Sequence, residues 1–141
     1  MIPEILSIAG AERRLVVDVD TEQVVIPAAR AIPLALVAVE LLSNAIEHGF
    51  PDSEGGTLEI RLERTGESTA RLLVRHDGIA LPPGFRLSQA RSLGLTVACQ
   101  LAETAGADLV IIQDRGVVSC LTFPVLDTGD RSRTEPGLIL P

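Results

Sequence analysis

Residues 40–48 read Glu40-Leu41-Leu42-Ser43-Asn44-Ala45-Ile46-Glu47-His48. Glu40, Asn44 and His48 recur every four residues and Glu47 follows Asn44 by three, so on a 3.6-residue helix all four project to one side. Leu34, Leu36, Val37, Val39, Leu41, Leu42 and Ile46 surround them, enough apolar surface to bury most of the remaining circumference. A carboxylate and an amide are not buried without partners. The polar stripe is therefore expected to face water, a ligand or a metal. A narrow solvated face is the simpler alternative, and the rest of the chain decides between them.

Outward from this helix the pattern alternates. Pro33 sits at a favourable first helical position and Gly49 at the stop, which predicts a helix over about 33–48. Upstream, Arg14 to Val19 reads as a strand, and Pro27 and Pro33 bracket a short turn or helical segment. Downstream, a Gly/Asp/Ser/Pro-rich loop over 50–56 leads into Thr57 to Arg64, whose clean alternation predicts a half-buried strand. A turn at Gly66 to Ser68 returns the chain as a second strand, Ala70 to Arg75. Residues 76–91 are loop-like. Ser92 is a good N-cap for a helix to about Ala105 that stops at Gly106. Strands at Asp108 to Ile112 and Val117 to Phe123, joined by a turn at Asp114 to Gly116, complete the domain. Helices and antiparallel hairpins in this order predict an α/β two-layer sandwich, a mixed sheet covered on one face by helices. One domain over 1–126 and a flexible tail over 127–141 are expected.

Composition narrows the function classes. The net charge is −7 and all 12 basic residues are arginines, which argues against a nucleic-acid surface. Without lysine there is neither a Schiff base nor a Walker-type phosphate loop. No apolar stretch is read as reaching the roughly 20 residues of a membrane span, and no signal peptide is evident. A cytoplasmic chain without membrane contact is expected. Cys99 and Cys120 lie in apolar segments without metal-ligand spacing and read as reduced core residues.

Two glycine-bearing stretches follow the polar-striped helix: Val74-Arg75-His76-Asp77-Gly78-Ile79-Ala80-Leu81-Pro82-Pro83-Gly84-Phe85, and Ser92-Leu93-Gly94-Leu95 at a helix start. Together with Ala31 to Leu36, Glu40 to Pro51 and Leu121 to Pro124, these motifs resemble the ATP-binding catalytic domain of bacterial sensor histidine kinases. This is the Bergerat-type fold shared with gyrase, Hsp90 chaperones and mismatch-repair ATPases, and the HWE-related branch is the nearest in pattern. The resemblance spans about residues 12–125. It implies that Asn44 coordinates the Mg²⁺ bridging the ATP phosphates and that Glu40 sits near the metal-bound water or acts as the proton-handling carboxylate. It also implies that His48 lies near the phosphates. The base end would be formed by His76, Asp77, Gly78 and Ala80, and the phosphate end by Ser92, Leu93, Gly94 and Leu95, with Leu81 to Arg91 as the lid. A hard Mg²⁺ suits one amide oxygen plus phosphates and waters.

Three positions depart from the family pattern. His76 stands where the family carries an aspartate that accepts the adenine amino group, and a neutral imidazole can accept that bond through one ring nitrogen. Ala80 replaces a glycine, and Glu47 replaces a usually basic residue beside the phosphates. Both histidines, His48 and His76, lie inside the nucleotide motifs, so the phosphoacceptor must come from elsewhere. The resemblance implies a histidine-bearing dimerisation domain or phosphotransfer partner, and a response regulator. A degenerate pseudo-ATPase serving phosphotransfer or regulator docking is the alternative, and a stand-alone anti-sigma-type serine kinase the second.

Overall fold

A computed structural model describes residues 4–8, 13–50, 55–87, 93–127 and 137–140. Strands β1 (Glu4–Ile8), β2 (Arg13–Thr21) and β3 (Val24–Pro27) precede helix α1 (Ala28–Glu47). Then come β4 (Gly56–Arg64), β5 (Thr69–His76), α2 (Leu93–Thr104), β6 (Asp108–Gln113), β7 (Val117–Pro124) and β8 (Gly137–Leu140). One sheet runs β1-β2-β4-β5-β7-β6, parallel between β2 and β4 and antiparallel at every other pair. β3 and β8 form a separate antiparallel pair. The expected two-layer α/β sandwich with a mixed sheet is what the chain adopts.

Alternation along the strands separates the faces. Leu15, Leu58, Leu62, Val74, Leu121 and Phe123 point inward and are buried with Leu34, Val37 and Leu41 of α1 and Ala98 and Ala102 of α2. On the outer face Glu59 pairs in register with Arg75 and Glu63 with Arg71. Both couples are ion pairs, and Arg61 also bridges to Glu59. Cys120, opposite Leu73 on that outer face, and Cys99 on α2 are free and half-buried, so they sit at the margins of the core. Burial pushes both thiols up, away from the reactive thiolate.

Four expectations change. The helix begins at Ala28, and Pro33 lies inside it. Ala28-Ala29-Arg30-Ala31 are strong helix formers. Ala31 is buried, and Arg30 Nη1 donates to the Ala105 carbonyl at 3.1 Å, placing a cation at the carboxyl end of α2. These contacts outweigh the one bond to the Ala29 carbonyl that Pro33 cannot make. Second, α1 is not wrapped in apolar contacts: Ile32, Leu36 and Val39 are 72, 52 and 59% exposed, so that side of the helix is open among the described residues. Third, at 20 residues α1 is long and apolar enough to cross a membrane by length and composition alone. It instead packs its buried face on the sheet. Fourth, part of the tail is ordered: apolar Leu138, Ile139 and Leu140 pair with Ile26, Val25 and Val24. Residues 51–54 of the first loop, 88–91 of the expected lid, Ser92 and most of the tail lie outside the described residues.

Helix α2 ends as its sequence implies. Gly106 has φ +68°, its N–H donates to the Glu103 carbonyl at 3.0 Å, and the Ala107 N–H to the Ala102 carbonyl at 2.8 Å. That pair of bonds is the Schellman closure, which glycine makes without a Cβ penalty.

Candidate functional site

A cleft of about 300 Å³ opens between α1, the carboxyl end of β5, the loop after it, α2 and the β6–β7 hairpin. Asn44, Ala45 and His48 come from α1, His76 from β5, and Ile79, Ala80, Leu81, Pro82 and Phe85 from the loop. Leu95 of α2 and Ile111, Val117 and Ser119 of the hairpin complete it. A mostly apolar cleft with a few convergent polar groups is the usual form of a small-molecule site.

The polar stripe of α1 divides by depth. Asn44 and His48 line the cleft, whereas Glu47 is exposed and lines nothing there. The Asn44 Nδ2 is buried without a hydrogen-bond partner. An amide carries both donors and an acceptor, and its orientation adapts to what it meets. An unpartnered amide at the edge of a cleft therefore fits a bound oxygen ligand or, turned over, a hard cation that takes its other ligands from phosphates and waters. Glu40, one turn earlier, lies against the first turn of α2: a Cβ on Gly94 would overlap its carboxylate. Leu93 beside it is 78% exposed, so of these two only Gly94 has a packing role.

At the other end of the cleft the glycines place backbone against backbone. A Cβ on Gly78 would run into the Gly49 carbonyl, which accepts the Ile79 N–H at 2.8 Å. Gly116, at φ +108°, lies under the His76 carbonyl where a Cβ has no room. These contacts lock the loop after β5 to the end of α1 and to the β6–β7 turn. Gly78 itself does not line the cleft, and neither does Asp77: its Oδ1 accepts the Thr57 N–H at 2.8 Å and ties β5 to the start of β4. Asp77 is thus a strand tie, as the one-residue turn of side-chain direction requires. Ala80 is exposed at the cleft rim.

His76 is buried, 7% exposed, with its ring edge against Phe50 at 5.5 Å between centroids. Its Nδ1 accepts the Gly78 N–H at 3.3 Å. This corrects the expectation that His76 offers a free acceptor, since in a neutral imidazole the other nitrogen, Nε2, then carries the proton. Burial pushes the imidazole below its ordinary 6.5, against a smaller upward pull from Asp77. Because the unfolded chain takes up that proton first, stability is full above about 6.5 and is lost as pH falls below it, until the folded-state value is passed. Thermal unfolding of His76→Asn is expected to show a shallower acid-side fall in Tm than the wild type. Equal slopes would mean that His76 is protonated alike in both states.

Ser119, Val117 and Ile111 are cleft residues that sequence reasoning missed. Alternation in Val117-Val118-Ser119-Cys120-Leu121 sets their common face, but only the β7–β5 pairing, Val117 with His76 and Ser119 with Val74, brings that face under the cleft.

The model of the histidine kinase-, DNA gyrase B- and HSP90-like ATPase family matches residues 29–129. The sensor histidine kinase PdtaS of Mycobacterium tuberculosis is 33% identical over 129 residues, 89% of this chain and 26% of that protein. A blue-light-activated histidine kinase 2 of Erythrobacter litoralis is 29% identical over 93 residues, 66% of this chain and 27% of that protein. The solved Erythrobacter litoralis EL346 blue-light activated histidine kinase superposes with a TM-score of 0.71 at 26% identity, covering 79% of this chain and 35% of that one. The chain thus spans about a quarter of the length of the curated relatives it matches. A helix edge with an orphaned amide, a glycine-locked loop and a glycine-led second helix on a mixed sheet agree with this match, and the chain belongs to the histidine kinase-, DNA gyrase B- and HSP90-like ATPase family, as a histidine kinase-like ATPase domain of the sensor-kinase type.

Proposed function

We propose that this domain is the catalytic module of a two-component sensor kinase acting in the cytoplasm. It holds a magnesium-bound nucleoside triphosphate, ATP by family, and presents the γ-phosphate to a histidine on a separate dimerisation or phosphotransfer domain. The observation that carries this reading is the buried, unpartnered Asn44 Nδ2 at the edge of the cleft, one turn from Glu40, whose carboxylate lies against the amino end of α2. Mg²⁺ would be held there by Asn44 and would neutralise charge on the transferring phosphoryl group. The positive end of the α2 dipole favours the anion. In this reading Glu40 orients a water or takes a proton. The apolar loop from Ile79 to Phe85 excludes water from the base.

Titration calorimetry with Mg²⁺ and a non-hydrolysable ATP analogue tests the reading. Wild-type binding in the micromolar to low-millimolar range is expected, weakened at least about tenfold in Asn44→Ala, the loss of about 1.4 kcal/mol or more. Equal binding by both proteins would remove Asn44 from the site. A folded protein that binds no nucleotide would favour the second reading, a pseudo-ATPase module that docks a response regulator. That reading is favoured by the His76 ring, whose free nitrogen is a donor and not the acceptor that an adenine amino group needs.

A further inference from the structure

At the base end of the cleft the His76 ring presents a donor where an adenine amino group needs an acceptor. The orientation of a bound nucleotide follows from two points on the carboxyl half of α1 and the turn after it. The amino end of α2 meets Glu40, whereas His76 packs on Gly49, nine residues further along. At 1.5 Å of rise per residue the two points are about 13 Å apart. Phosphates belong at the helix end and the base at the apolar His76 end. In a purine the 6-substituent and N1 lie remote from the ribose-bearing nitrogen, so they lead into the end where His76 sits. Adenine leads with an amino donor, whereas guanine and hypoxanthine lead with a carbonyl acceptor.

The His76 ring is held in one sense. Its Nδ1 accepts the Gly78 N–H at 3.3 Å, and the Nδ1–Cε1 edge faces Gly49, where an added Cβ would stand 2.7 Å from Nδ1 and 2.9 Å from Cε1. The remaining nitrogen, Nε2, is an N–H donor. Among the described residues no carboxylate lines the cleft, and the nearest one in sequence, Asp77, is turned to the Thr57 N–H. An adenine amino group brought to this wall would set donor against donor and lose its water without replacement. A 6-oxo group would accept from Nε2.

We propose that the cleft selects a 6-oxopurine nucleotide over an adenine nucleotide, with the Nε2–H of His76 as the selecting donor. The inference rests on the reading of the cleft as a nucleotide site and changes only the base. Inosine and adenosine triphosphates differ only at position 6 and in the proton on N1, so they isolate this contact. Calorimetric titration of the chain with the magnesium complexes of non-hydrolysable ITP, GTP and ATP analogues is expected to show ITP bound about ten- to a hundredfold more tightly than ATP. In His76→Asp, which replaces the donor by an acceptor, the ratio is expected to fall below one. His76→Asn, whose amide can accept from Gly78 and still donate, is expected to retain the wild-type order. ATP bound as tightly as ITP by the wild type would overturn the proposal, as would an unchanged ratio in folded His76→Asp. If none of the three nucleotides binds to the folded wild type, the nucleotide reading itself falls and the base preference with it.

Discussion

Gly78→Ala is expected to lower the unfolding free energy by about 2–4 kcal/mol. The new methyl would run into the carbonyl of Gly49, a backbone atom at the end of α1 that no rotamer change can move aside. Overpacking of this kind costs about 1–3 kcal/mol. Moving the loop away would also break the bond from the Ile79 N–H to that carbonyl, worth about 1 kcal/mol. The effect is structural, because Gly78 does not touch the cleft. Gly94 is the natural comparison. A methyl there meets only the mobile end of the Glu40 side chain, and alanine is the better helix former, so Gly94→Ala is expected to cost less than about 1 kcal/mol. Urea denaturation of the two variants checks the contrast. Equal stabilities would mean that the loop after β5 is not locked to α1.

Leu41→Ala is expected to cost about 2–5 kcal/mol, with the midpoint of urea unfolding lowered at an unchanged m-value. Leu41 is 1% exposed and packs among the inward residues of the sheet, directly between Glu40 and the turn that carries Asn44. Its removal leaves a cavity beneath the edge of the site, so nucleotide affinity is expected to weaken along with stability. A loss of less than about 1 kcal/mol would show that α1 can collapse onto the sheet there, and that Asn44 is not held by the core. The surface neighbours Ile32, Leu36 and Val39 have no such role, since more than half of each is exposed.

The strands that form hairpins were legible because their alternation is regular over six to nine residues and turn residues stand between them. β4, β5, β6 and β7 fall within a residue or two of where periodicity puts them. The short strands β3 and β8, four residues each, carry too few side chains for alternation to stand out, and β8 pairs with a partner more than a hundred residues away. The start of α1 was misplaced because Pro33 is a strong local start signal. The Arg30 bond to Ala105 and the burial of Ala31, which extend the helix ahead of it, are long-range contacts.

The site divides in the same way. Helical spacing put Asn44 and His48 on one face with Glu40 and Glu47, because four-residue repeats share a face whatever the tertiary context, and the packing decided that Asn44 and His48 line the cleft. Whether Asp77 or His76 faces that cleft, which nitrogen of His76 is free, and that Ser119 and Val117 form its floor depended on strand pairing and on how closely the loop glycines approach α1. Local periodicity thus determined the elements, their order and the polar helix edge. Only the packed structure decided which side chains meet across the cleft and with what hydrogen-bond polarity, because those contacts join residues far apart in the chain whose orientations no local pattern encodes.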